Sequence, residues 1–346
     1  MENVQGLNEL NRRVLEKGLC AACGACVDIC PYLTAFRGKT VLLDRCSVEH
    51  GRCYAYCPMT EFDSDRIGEF VFGIAQEIRN LGHVRSIMAS QSRDSRITSV
   101  AQGGGTVSAL LAGALEDQLI EAAVLTGVGP KDNYPCGKIA VTENDILSCT
   151  GSKYVGAHSL SALRQAIDIG YQKIAVVGLP CQVRSLRKMM MYDLKNENLK
   201  HRIRLVVGLF CNWAFDGRDF ATFLAHRFNV QVIKKLHIPP PPANSLELET
   251  EDGLHVIPLD ELRPLIQDAC RTCPDMTSEF ADISVGMYEG REGWNTLIVR
   301  TEIGQDLARG AQERGALEIE AFPKTNLEHL QDASINKRKR ASDKGS

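Results

Sequence analysis

The chain has 346 residues, and 40 Lys plus Arg against 43 Asp plus Glu give it a formal charge of -3. That balance offers no field for nucleic acid or an anionic membrane, and the length suits two or three domains with a sizeable core. No apolar run approaches the roughly 20 residues that cross a bilayer, and the opening MENVQGLNELNRRVLEKGL lacks the apolar segment of a secretory signal. Thirteen cysteines in clustered C-x-x-C spacing, without such a signal, point to metal ligation in the cytoplasm rather than to disulfides.

Cys20, Cys23, Cys26 and Cys30, followed by Pro31, spell C-x2-C-x2-C-x3-C-P. This is the bacterial ferredoxin run, whose first three cysteines hold one iron-sulfur cube while the fourth reaches another. Ala and Gly between the cysteines keep the loop small, and the spacing with its trailing proline fits zinc poorly. A regular second half would carry cysteines at 47, 50, 53 and 57, but the chain has Ser47 and His50, keeps Cys53 and Cys57-Pro58, and places Cys46 one residue early. By the crossing rule, Cys20, Cys23, Cys26 and Cys57 form a complete set, and Cys30, Cys46 and Cys53 an incomplete one. Three outcomes are open for the second set. His50 supplies a nitrogen, which raises the potential as in Rieske centres; three cysteines hold a cluster without it; or the site is empty.

From about residue 65 strand-like and helix-like patterns alternate. AQGGGTVSALLAGALE places Gly103, Gly104 and Gly105 before Thr106, with Val107, Leu110, Leu111, Ala114 and Leu115 at helical spacing. Such a loop lets the phosphate of a flavin or nucleotide approach free N-H groups at a helix start, although it is not the G-x-G-x-x-G fingerprint. KIAVVGLPCQVRSLRKM and RIRLVVGLFCNW each read as an apolar strand running into a cysteine, Cys181 and Cys211. In one parallel sheet both cysteines would lie at the ligand-binding edge, and the helix start at Cys181 would favour its thiolate. Cys270 and Cys273 add a further C-x2-C, making four cysteines available in the body. On spacing alone a cluster, a zinc knuckle and a buried thiol pair all remain open, and Cys136 and Cys149 are plain residues. SLELETEDGLHVIPL reads as a surface hairpin turning at Asp252-Gly253. WNTLIVRT reads as the last core strand, and the segment 331–346 with its KRKR run as a disordered polar tail.

GGGTVSALLAGALE, GSKYVGAHSLSAL, VVGLPCQVRSLRK, GLFC and CRTCPDMTSEFADISVG, in this order, resemble the family of beta subunits of coenzyme F420-reducing hydrogenases and dehydrogenases. The resemblance runs from about residue 20 to 315. It implies FAD beside a [4Fe-4S] cluster held by Cys181, Cys211, Cys270 and Cys273, and hydride exchange with the deazaflavin F420. It sets Gly103, Gly104, Gly105, Thr106 and Ser108 near FAD together with Gly151, Ser152, Lys153 and Tyr154, with Lys153 as the cation facing cofactor phosphate or reduced flavin.

The implied architecture is an α/β protein, with a ferredoxin-like iron-sulfur domain at 1–65 and a mixed-sheet flavin domain at 66–330. Clusters move single electrons and F420 takes two as hydride, so a flavin belongs between them. The expected function is a relay between F420 and a hydrogenase, formate dehydrogenase or heterodisulfide reductase-type partner. The alternatives are a ferredoxin-dependent reductase of another conjugated substrate and a non-catalytic electron-transfer subunit.

Overall fold

A computed structural model describes residues 5–74, 80–129, 134–229 and 233–343. The N-terminal segment holds a short ribbon, β1 (Leu33–Phe36) against β2 (Lys39–Leu42), and packs Leu7, Leu10, Val14, Leu33, Cys53 and Tyr54 around its cysteine loops. The body is built from β3 (Ser86–Ser92), β4 (Ala122–Val128), β5 (Pro135–Ala140), β6 (Ile174–Gly178), β7 (Ile203–Leu209), β8 (Lys235–His237), β9 (Ser245–Thr250), β10 (Gly253–Pro258), β11 (Ile283–Met287), β12 (Asn295–Val299) and β13 (Leu317–Ala321).

Eight of these form one mixed sheet in the order β13-β3-β12-β11-β7-β6-β4-β5. Its centre, β11, β7, β6 and β4, is parallel, and the flanking pairs are antiparallel. Parallel strands covered on both faces read as continuous apolar runs, and every residue of β6 is buried accordingly. The adjacent strands β6 and β7 bring their carboxyl ends to one edge, as the sequence anticipates. Pro180 opens the crossover helix Pro180–Tyr192, where its missing N-H costs nothing.

Asp282 knits this centre together. Its Oδ2 accepts the Val206 N-H at 2.7 Å, its Oδ1 accepts the Thr301 hydroxyl at 3.0 Å, and Arg187 of the crossover helix pairs with it at 3.1 Å. A buried carboxylate is tolerable only when paired and hydrogen-bonded in this way.

Three expectations need correction. WNTLIVRT contributes β12, but β13 follows it as an edge strand beyond the helix Glu302–Glu313. The hairpin forms, but it turns at Glu251-Asp252, one residue before the expected Asp252-Gly253, with Gly253 already paired to Thr250; nor is it a bare surface ribbon, since Leu246 and Leu248 are buried beside Phe215 and Leu262, and β8 extends it to three strands. The segment 331–346 is no disordered tail through residue 342. It completes the helix Lys324–Ser342, whose Ser334, Lys337 and Ala341 are buried, so the KRKR run points its first lysine inward rather than into solvent.

The N-terminal segment shares a core with the body, since Cys23, Ala25, Ala55 and Tyr56 pack with Leu163, Val176 and Val183. The crossover helix fastens it. The Ser185 hydroxyl donates to Tyr56 O at 2.6 Å, and Lys188 Nζ donates to Cys57 O at 2.6 Å, Thr60 Oγ1 at 2.8 Å and Glu61 O at 3.0 Å. Burial lowers the Lys188 pKa to about 8. Lys188→Met leaves three acceptors unpaired, and we expect a loss of about 2–4 kcal/mol in urea unfolding. A loss below about 1 kcal/mol would mean that water takes over these bonds at little cost.

Candidate redox centre

The N-terminal cysteines lie together around the core of their segment. Burial first, and then the charges of Cys23, Cys20, Cys57 and Cys53, hold the Cys26 thiol well above its ordinary value. Burial, Cys23 and Cys20 raise Cys57 to about 12. Cys20, Cys23, Cys53 and Cys57 are therefore all electrostatic neighbours of Cys26. Cys53 is raised to about 11 by burial, with Cys30 and Cys46 acting on it. His50 is exposed on the same loop.

The loop between Cys23 and Cys26 is built against a distant backbone. Gly24 has φ +88°, and a Cβ there would strike the carbonyl of His158, so only glycine fits. His158 N-H donates to Ala22 O at 2.8 Å, and its Nε2 lies 3.1 Å from Thr40 Oγ1, which accepts from Cys20 Sγ at 3.4 Å. Burial lowers the His158 pKa from 6.5 to about 4. Between these values the unfolded chain binds the extra proton, so stability present above pH 6.5 is lost as pH falls towards 4. The expected loss is about 3 kcal/mol, read as a falling urea midpoint. His158→Gln should flatten that acid slope; an unchanged slope would place its cause elsewhere.

Cys181, Cys211, Cys270 and Cys273 come from three separate parts of the chain and line one enclosed hollow at the carboxyl edge of β6 and β7. Gly156, Arg184, Gln267 and Lys337 line it with them. Ala214 N-H donates to Cys270 Sγ at 3.3 Å, and burial lifts Cys211 to about 12. Cys181 is also raised well above its ordinary value, by burial first and then by Cys23, Cys273, Cys211 and Cys270. The expected thiolate-favouring effect of the helix start is thus outweighed. Cys23 is the strongest of the charged neighbours of Cys181, which sets Cys23 of the N-terminal segment beside the body cysteines.

Zinc requires every sulfur at about 2.3 Å from one point. An iron-sulfur cube, with a different iron behind each thiolate, holds its sulfurs farther apart. Four cysteines lining one hollow offer the donor set that such a cube takes. All thirteen cysteines are free of disulfides, and Cys136 and Cys149 lie on β5 and at the end of the helix Glu143–Ser148, away from these groups.

The glycine loop and the Gly151–Tyr154 segment also meet. Gln102 Oε1 accepts the Ser152 N-H at 3.0 Å, while its Nε2 donates to Leu236 O at 3.2 Å and lies 2.5 Å from His237 Nδ1. Tyr154 O accepts the Phe215 N-H at 2.7 Å, so this segment runs directly into the wall of the cysteine hollow, where Gly156 stands. Lys153 Nζ donates to Thr150 O at 2.8 Å, and among the described residues no carboxylate forms an ion pair with it. Burial lowers its pKa. This cation suits an anionic group.

The glycines themselves serve packing. A Cβ on Gly104 would stand 2.8 Å from Ser90 O and 2.9 Å from Gly293 O, and Gly105 has φ +72° as it enters the helix Thr106–Glu116. Thr106 is fully buried: its N-H donates to Asn295 Oδ1 at 3.2 Å and its hydroxyl lies 2.8 Å from Ser90 Oγ. Ser108 is buried on the same helix. Gln102, which joins the two candidate segments, is the residue that motif reading passes over, although it directly precedes the glycines.

Residues 87–164 match the family model described as coenzyme F420 hydrogenase/dehydrogenase, beta subunit N-term, and residues 171–325 match the model for the C terminus of the same beta subunit. The coenzyme F420 hydrogenase subunit beta of Methanothermobacter thermautotrophicus is 30% identical, over 75% of this chain and 94% of its own. An F(420)H(2) dehydrogenase subunit of Methanosarcina mazei is 30% identical, over 92% of this chain and 93% of its own. A chain of the F420-reducing [NiFe] hydrogenase complex from Methanosarcina barkeri superposes with TM-score 0.72 at 28% identity, covering 78% of this chain and 94% of that one. The chain belongs to the family of coenzyme F420 hydrogenase/dehydrogenase beta subunits.

Proposed function

We propose that this protein is an iron-sulfur flavoprotein subunit that relays electrons between a redox partner and coenzyme F420. One observation carries the reading: four cysteines line a single hollow at the carboxyl edge of the sheet, with Cys23 of the N-terminal group beside Cys181. When bound, the clusters pass electrons singly and FAD exchanges them singly or as hydride.

The chain's own residues supply holding, order and exclusion of water. Cys20, Cys23, Cys26 and Cys57 would hold one [4Fe-4S] cluster, and Cys181, Cys211, Cys270 and Cys273 another. Cys30, Cys46 and Cys53 would hold a third, with a ligand other than cysteine. The crossover helix would fix the first two relative to each other, since it carries Cys181 and bonds the Tyr56 and Cys57 carbonyls through Ser185 and Lys188. Gly151, Ser152 and Lys153 would hold the FAD phosphates, with Gln102 fixing that segment against the glycine loop. A hydrogenase or dehydrogenase subunit would supply the electrons. No helix among the described residues is long and apolar enough to cross a membrane.

The test is anaerobic titration of the fully reduced protein with F420, following flavin and deazaflavin absorbance. Flavin reoxidation matched by F420 reduction is the expected result. Flavin that stays reduced in excess F420 would exclude F420 as the acceptor.

A further inference from the structure

Lys337 is 3% exposed. Its Nζ enters the cysteine hollow and donates to Cys211 O at 2.6 Å and to Asp275 O at 2.7 Å. The next residue, Arg338, pairs with the buried carboxylate of Glu279, which anchors the helix Lys324–Ser342 at this point. Among the described residues no carboxylate forms an ion pair with Lys337, and the charges that act on it most are those of Cys273 and Cys211, then Asp275 and Cys270. Arg184 is the other cationic side chain lining the hollow, and among the described residues no carboxylate lines it. A buried ammonium is costly unless something negative faces it. Four thiolates around a cluster supply that charge, and reduction makes it more negative.

We propose that Lys337 is a positioning residue that sets the reduction potential of the cluster held by Cys181, Cys211, Cys270 and Cys273. Its fixed positive charge favours the reduced form, and its hydrogen bonds tie the backbone of Cys211 and Asp275 to the C-terminal helix. A bound cluster would take one electron from the donor side and pass it towards the flavin. The matched family region ends at residue 325, so this contact comes from beyond it. The inference rests on the body-cluster reading above.

The test is an electron paramagnetic resonance redox titration of the whole anaerobic protein, following the signal that Cys211→Ala removes. If Cys211→Ala removes no signal and no iron, the body-cluster reading fails and this inference with it. With the signal assigned, Lys337→Met should make that cluster about tenfold or more harder to reduce, a fall of at least about 59 mV. Lys337→Arg should stay near the wild-type potential. Lys337→Gln keeps a donor for the two carbonyls without the charge and should shift like Lys337→Met. Unshifted potentials in both neutral variants would overturn the proposal, because a purely structural lysine predicts that result. Loss of iron in both neutral variants but not in Lys337→Arg would also overturn it, by assigning the residue to holding the backbone instead.

Discussion

Cys181→Ala, purified anaerobically, is expected to lose about four irons per chain and at least about 100-fold in electron flow from a one-electron donor to F420, since losing even an outer partner of a metal ligand costs about 10- to 100-fold. The size of the effect follows from where the sulfur stands. Cys181 is the second residue of the crossover helix, it lines the hollow with Cys211, Cys270 and Cys273, and Cys23 is its strongest charged neighbour. Its removal breaks the body set and the step between the two sets together. Cys149→Ala is the control: that thiol sits at the end of the helix Glu143–Ser148 and should change neither iron nor flow. Equal iron content in the two variants would contradict the assignment of the body ligands.

The second large effect concerns stability. Arg300 is 1% exposed, and its guanidinium ties together segments far apart in the chain. Its Nε donates to Ser284 Oγ at 2.9 Å, one terminal nitrogen to Leu81 O at 2.8 Å and His83 O at 2.6 Å, and the other to Thr277 O at 3.1 Å and Thr277 Oγ1 at 2.9 Å. Burial lowers its pKa to about 10, with Glu279 and Asp275 opposing the shift. Arg300→Met keeps much of the volume and strands these acceptors, so about 3–5 kcal/mol should be lost. Trp294, buried just before β12, reports the change by fluorescence in urea. A loss below about 1 kcal/mol would show that the network relaxes onto other donors.

Ligand spacing is local, and for that reason the cysteine sets could be read before any fold was known. Three of the four cysteines in the complete N-terminal set lie within seven consecutive residues, and an apolar strand running into a cysteine twice over foretells one sheet edge once a parallel crossover is assumed. The hairpin was legible on the same local grounds, although its turn falls at Glu251-Asp252, one residue earlier than the Asp-Gly pair suggests. What escaped depends on partners distant in sequence. Gly104 needs to be glycine because Ser90 O and Gly293 O close in on it, and nothing in GGGT announces either neighbour. Lys337 sits in a run of basic residues that looks solvated, and only the docked helix shows one of them turned towards Cys211. Cys181 was read as a favoured thiolate from its helix start, yet burial and neighbouring sulfurs raise it. A helix end contributes within one turn, whereas desolvation is set by everything packed around the group.

The most direct measurement is iron, sulfide and flavin content of the anaerobically purified protein, with electron paramagnetic resonance of the reduced form. About eight irons with one flavin would remove only the cluster assigned to Cys30, Cys46 and Cys53. The expected result is about twelve irons and one flavin per chain, with signals from interacting clusters. About four irons or fewer, or no flavin, would contradict the relay.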